Sequence, residues 1–194
     1  MRRRRCGRSD LVIALLLAVL VAADPPSAPP GAAEAAARPF SCPAGSERRG
    51  AAPPDAFEIW CERPGETPER RREGPMRTWY DDGTLAKAAG FEEGNLHGSF
   101  VEWHRNGRPA RAGAYERGAR AGTWTLWFES GRKEEECGYA AGERDGPFAT
   151  WWSNGRRRIE GRYCHGLQCG AWTSWDEDGR ELGKVRYEEI RGIP

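Results

Sequence analysis

Residues 122–145 read GTWTLWFESGRKEEECGYAAGERD, and the same outline stands before and after them. Set under one another, GPMRTWYDDG (74–83), GSFVEWHRNG (98–107), GTWTLWFESG (122–131), GPFATWWSNG (146–155) and GAWTSWDEDG (170–179) keep a step of 24 residues. Other columns hold that step: Trp79, Trp103, Trp127, Trp151 and Trp175, and Phe91, Tyr115, Tyr139, Tyr163 and Tyr187. A fixed period in this range marks a repeat architecture, in which each unit buries its apolar surface against its neighbours.

Each unit reads as a β-hairpin. Runs rich in Thr, Val, Phe and Trp lead to Asp82-Gly83, Asn106-Gly107, Ser130-Gly131, Asn154-Gly155 or Asp178-Gly179. Asn-Gly and Asp-Gly between strand-like runs predict two-residue type I′ turns, where both central residues take positive φ. With Asn154-Gly155 as such a turn, Phe148 falls opposite Gly161 and Gly146 opposite Tyr163. A four-residue loop from His165 to Gln168 would pair Cys164 with Cys169, Tyr163 with Gly170 and Gly161 with Trp172. In this register Phe91, Tyr115, Tyr139 and Tyr163 lie beside Gly98, Gly122, Gly146 and Gly170. Rings at Phe100, Trp124, Phe148 and Trp172 lie beside small residues such as Ala89, Gly113 and Gly161. Glycines that weaken an isolated strand are then covered by rings.

The pattern G-x-aromatic-x-x-W-aromatic-x-x-G followed by x-G-x-Y-x-x-G resembles the MORN-repeat variant of bacterial secreted proteins and of the YwqK-type antitoxin family, over residues 74 to about 187. The resemblance implies an elongated, single-layer antiparallel meander used as a scaffold for protein contact, membrane-associated in eukaryotic relatives, and it implies no catalysis. The fifth unit departs from the pattern with Asp176 and Ile190, which reads as a polar terminal cap. The fold expectation is therefore all-β, with five hairpin repeats and a small N-terminal cap.

Strict alternation puts Phe148, Trp152 and Tyr163 on one face and Trp151 on the other, among charged residues. The row Trp79, Trp103, Trp127, Trp151 and Trp175 is the candidate partner-binding surface, a ladder of flat platforms suited to a protein or to sugar rings. The competing assignment is core, which is commoner for repeated Trp, with arginine stacking as a structural use of exposed rings.

Upstream, Arg2 to Arg5 and Arg8 precede a 12-residue apolar run, Leu11 to Ala22. That is the form of a secretory signal peptide over residues 1–23, too short for a comfortable membrane span. Its removal leaves a chain of net charge −3, with no polybasic character for nucleic acid and nothing in the charge that indicates a membrane. Residues 24–39, rich in Pro and Ala, read as a disordered linker. Residues 40–73 read as a capping segment containing a short strand, AFEIWCER (56–63), ahead of the repeat domain at 74–194. Cys42 with Cys61, and Cys164 with Cys169, are the expected disulfides of an oxidising compartment, periplasmic or extracellular, leaving Cys137 unpaired.

Chemistry finds little support. His97, His104 and His165 lie in different units, and no nucleophile elbow, phosphate loop or paired-histidine metal motif occurs. Cys164-His165-x-x-x-Cys169 offers no fourth ligand for zinc. The expectation is a non-enzyme without cofactor or metal: an exported scaffold that binds an unidentified protein or envelope component. The alternatives are a carbohydrate-binding module using the Trp ladder, which makes a glycan the second candidate partner, and an antitoxin or immunity-like protein that masks a toxin.

Overall fold

The computed structural model describes residues 29–67 and 71–188. The signal-peptide assignment, the start of the linker and the tail from Glu189 fall outside the described residues. Within them, twelve antiparallel strands form one open sheet in strict chain order. They are β1 (Glu47–Ala51), β2 (Glu58–Glu62), β3 (Arg72–Trp79), β4 (Leu85–Glu92), β5 (Asn95–Trp103), β6 (Pro109–Glu116), β7 (Ala119–Trp127), β8 (Lys133–Ala140), β9 (Glu143–Trp151), β10 (Arg157–Cys164), β11 (Leu167–Trp175) and β12 (Glu181–Tyr187). The all-β meander is thus observed, and the capping segment contributes β1 and β2 to the same sheet.

The two kinds of turn exchange the roles expected of them. Type I′ geometry occurs at Glu93-Gly94, Arg117-Gly118, Ala141-Gly142 and His165-Gly166, where both residues have positive φ. At the Asn-Gly and Asp-Gly sites only the glycine does, and the loop has three residues, closed by bonds such as Trp152 N–H to Arg156 C=O at 2.8 Å. The Asx side chain explains this choice. Asp82, Asn106 and Asn154 each accept a bond through Oδ1 from the backbone N–H two residues on, at 2.8–3.0 Å. A bulge after each such loop absorbs the extra residue, so Phe148 still meets Gly161 and Gly146 still meets Tyr163.

The four-residue loop is likewise corrected: Cys164 pairs with Leu167, Tyr163 with Gln168 and Arg162 with Cys169. A second bulge, between Glu160 and Arg162, restores the interior register. It sits at Gly170, and its equivalents sit at Gly98, Gly122 and Gly146, all with φ between +66° and +110°. These glycines recur because the bulged backbone turns left-handed there, a conformation that strains an L side chain.

The stretch assigned to a disordered linker is partly a helix, α1 (Ala32–Ala37). AAEAAA is built almost wholly from the best helix former, and Pro39 follows its end. Ala32 and Ala35, three apart and so on one face, are buried against Leu85 and Trp103.

Candidate functional site

The sheet has two unlike faces. On the first, large residues Met76, Phe100, Trp124, Phe148 and Trp172 alternate across strands with small ones, Ala89, Gly113, Cys137 and Gly161. A Cβ added to Gly113 would lie 2.3 Å from Trp124 Cδ2, and one on Gly161 would lie 2.2 Å from Trp172 Cδ2. Ring-over-backbone nesting therefore holds at Gly113 and Gly161. It does not hold at Gly98, Gly122 or Gly170, where an added Cβ meets nothing, nor at Gly146, which approaches only the Gly138 backbone. Gly98, Gly122 and Gly146 pair with Tyr115, Tyr139 and Tyr163 on one neighbour, but Phe91, Tyr115, Tyr139 and Tyr163 face Leu96, Arg120, Arg144 and Gln168 on the other.

The rings instead pack edge to face. Phe100, Tyr115, Trp124 and Tyr139 form one chain and Phe148, Tyr163, Trp172 and Tyr187 another, with centroids 5.0–6.3 Å apart in their T-shaped contacts. Among the described residues no second layer covers this face, and basic side chains roof it. Arg120 lies 4.7 Å from the Trp124 ring and Arg144 5.1 Å from Tyr163, each donating to a tyrosine hydroxyl. Arg111 lies over Phe100 and is paired with Glu102. Burial works against ionising Glu102, but the bonds and charges of Arg111 and Lys87 outweigh it and hold its pKa below the usual carboxylate range. This roof was not anticipated from the sequence, although Arg72, Arg120 and Arg144 follow the repeat step.

The second face carries the Trp row, and it is not an exposed ladder. Trp103 is 2% exposed and Trp127 7%; Trp79, Trp151 and Trp175 are half-buried. The helix missed in the linker is one cause: α1 lies over Leu85 and Trp103, and Trp103 Nε1–H donates to Pro30 C=O at 2.8 Å. Farther along, Arg157 lies 4.7 Å and Lys133 5.7 Å from the Trp151 ring, the structural use of arginine stacking.

Cys42–Cys61 and Cys164–Cys169 are disulfides, as expected. The second commits both sulfurs of the segment considered for zinc. The pairs suit an oxidising environment. Cys137 is free, 1% exposed and held between Trp124 and Phe148, where burial pushes its thiol pKa up to about 11. It occupies the small-residue column, which accounts for its place in the sheet.

Among the described residues no group of three His, Cys, Asp or Glu side chains is placed to hold a metal ion, and no helix is long and apolar enough to cross a membrane. The two most exposed large apolar side chains among the described residues, Leu182 and Val185, lie at the sheet's edge. Leu182 is 67% exposed, Val185 56%, and Tyr187 is also open, all on β12, beside a hollow of about 380 Å³ lined by Ile159 and Trp172. No protein-family model matches the chain, and no curated protein matches it.

Proposed function

We propose that this chain is an exported, non-catalytic scaffold of the MORN-repeat-variant kind, freed from residues 1–23 by signal cleavage, whose work is to bind a protein or cell-envelope component. The observation that carries the reading is the unlike treatment of the two sheet edges. β1 ends the sheet with Glu47, Arg48 and Arg49, charged and exposed, the usual protection of an edge strand. Among the described residues β12 has β11 as its single neighbour, and it ends the sheet with Leu182, Val185 and Tyr187 in solvent. An open edge bearing apolar side chains is the receptor half of β-strand addition, in which main-chain bonds supply affinity and alternate side chains supply specificity. With Trp103 and Trp127 buried and Trp79, Trp151 and Trp175 half-buried, the Trp row supports a sugar ladder less well than the β12 edge supports strand addition. The antitoxin reading differs only in the partner's identity.

A photo-crosslinking amino acid placed at Val185 in cells exporting the chain tests this. A discrete adduct at position 185, absent when the crosslinker is moved to Arg48 on the opposite edge, is the expected result. Equal labelling from both edges, or none from either, removes the β12 reading.

A further inference from the structure

β12 carries the side chains with which earlier strands receive the strand that follows them. On β4, β6, β8 and β10 a small residue, Ala89, Gly113, Cys137 or Gly161, stands two places before a ring. Val185 and Tyr187 hold those places on β12, opposite Trp172 and Gly170, as Cys137 and Tyr139 stand opposite Trp124 and Gly122. The difference lies on the far side. Cys137 has Phe148 of β9 as its second neighbour and is 1% exposed, whereas Val185 has a ring on one flank among the described residues and is 56% exposed.

The strands laid on β6 and β8 bring one form of segment to that far side. It is Arg120-Ala121-Gly122-Thr123-Trp124 in β7 and Arg144-Asp145-Gly146-Pro147-Phe148 in β9. The ring covers the small residue: Phe148 pairs with Cys137, and Trp124 lies over Gly113. Trp124 also meets Tyr115 edge to face at 5.0 Å. The arginine pairs with the receiving tyrosine, Arg120 with Tyr115 and Arg144 with Tyr139, and lies 4.7 Å and 5.4 Å from its own segment's ring. Between them the glycine, at φ +66° or +110°, forms the bulge that lets ring and arginine reach one receiving strand together. β5 and β11 keep the glycine and the ring, with Leu96 and Gln168 in the arginine's place.

Resting on the reading of β12 as a receptor for an added strand, we infer that the partner segment is an antiparallel strand of the form Arg-x-Gly-x-Trp or Arg-x-Gly-x-Phe, its ring over Val185 and its arginine against Tyr187. Continuity with the ladder selects this occupant, because the receiving side chains stand at the spacing that such a segment meets four times within the sheet. The hollow walled by Trp172, Val185 and Tyr187 takes the ring. The Tyr187 hydroxyl accepts from the arginine, as Tyr139 and Tyr163 accept from Arg120 and Arg144. This chain's own segments of that form lie in β7 and β9, already paired on both sides, so the partner is a different polypeptide.

The probe is a capped peptide copying residues 119–127, Ala-Arg-Ala-Gly-Thr-Trp-Thr-Leu-Trp, titrated into the isotope-labelled full chain with both disulfides formed. Saturable shifts centred on the β12 amides are expected, with nuclear Overhauser contacts from the first peptide indole to the Val185 methyls. Exchanging the Thr and Trp that copy Thr123 and Trp124 turns the ring to the other face at equal composition and should weaken binding about tenfold or more. Replacing the peptide's Arg with Ala should weaken binding to the native chain but not to Tyr187→Phe. No β12 response, or equal affinity for the exchanged peptide, overturns the inference. So do β12 shifts that follow the chain's own concentration without peptide, which give the edge to a second copy. Crosslinking from Val185 in cells separates the two levels: an adduct there with failed peptides overturns this segment form alone, and failure of both removes strand addition as well.

Discussion

Two sets of glycines in this chain recur for different reasons, Gly98, Gly122, Gly146 and Gly170 at every 24-residue step and Gly113 and Gly161 at every second one, and substitution separates them. Gly161 lies beneath the Trp172 ring, so Gly161→Ala forces ring against Cβ and should cost about 1–3 kcal/mol through overpacking. Gly122 has open space where a Cβ would go and φ of +66°, so Gly122→Ala should cost about 1–2 kcal/mol through backbone strain alone. Asn tolerates that conformation better than Ala, so Gly122→Asn should recover part of the loss, whereas Gly161→Asn should be worse than Gly161→Ala. Urea denaturation of the four variants checks both rankings. At the type I′ turns the reverse change helps: Ala141 sits at φ +48°, and Ala141→Asn should stabilise by about 0.5–1 kcal/mol in the same measurement.

At the scale of elements, α1 is held by an alanine face of two buried residues and by a few polar bonds, among them Arg77 to Ala36 C=O and Arg38 C=O. Ala35→Glu places a carboxylate against Leu85 and Trp103 and should lift the helix while leaving the sheet paired. The expected readout is a red-shifted tryptophan emission at unchanged far-ultraviolet strand signal. A different element, β8, carries the buried thiol. Because burial raises the Cys137 pKa to about 11, the unfolded chain loses its proton first as pH climbs from about 9. Stability supplied by the protonated thiol is full below that point and is lost as pH rises through about 11, with a slope of up to about 1.4 kcal/mol per pH unit. Urea midpoints at pH 8 and pH 10 should diverge in the native chain and diverge less in Cys137→Ala, whose side chain matches Ala89 in the same column.

Over the whole molecule, an open array in which each strand meets only its neighbours has no single nucleus of stability. Among the described residues β12 is exposed along its length and has one neighbour, whereas β5 to β9 have two and hold most of the buried rings. Amide exchange should therefore be fastest in β12 and slowest in β5 to β9; uniform protection would contradict this picture. What the sequence determined by itself was the periodic part: the chain order of β3 to β12 follows from hairpins in series, and the ring and small-residue columns follow from the 24-residue step, because neighbours in such an array are set by local pairing, whereas β1 lies outside the period and was not foreseen. The disulfides were legible too, Cys164 and Cys169 because they flank one hairpin turn and Cys42 with Cys61 as the remaining pair of the capping segment, although the residues paired across that turn are Cys164 with Leu167 and Arg162 with Cys169. What only the tertiary structure decided was whatever breaks the period or is added to it. Whether Asn154-Gly155 closes a two- or a three-residue loop depends on its own side-chain bond and on a compensating bulge. Whether Trp103 faces solvent depends on a helix some seventy residues earlier, and burial by a distant segment leaves no mark on the period of the residues it covers.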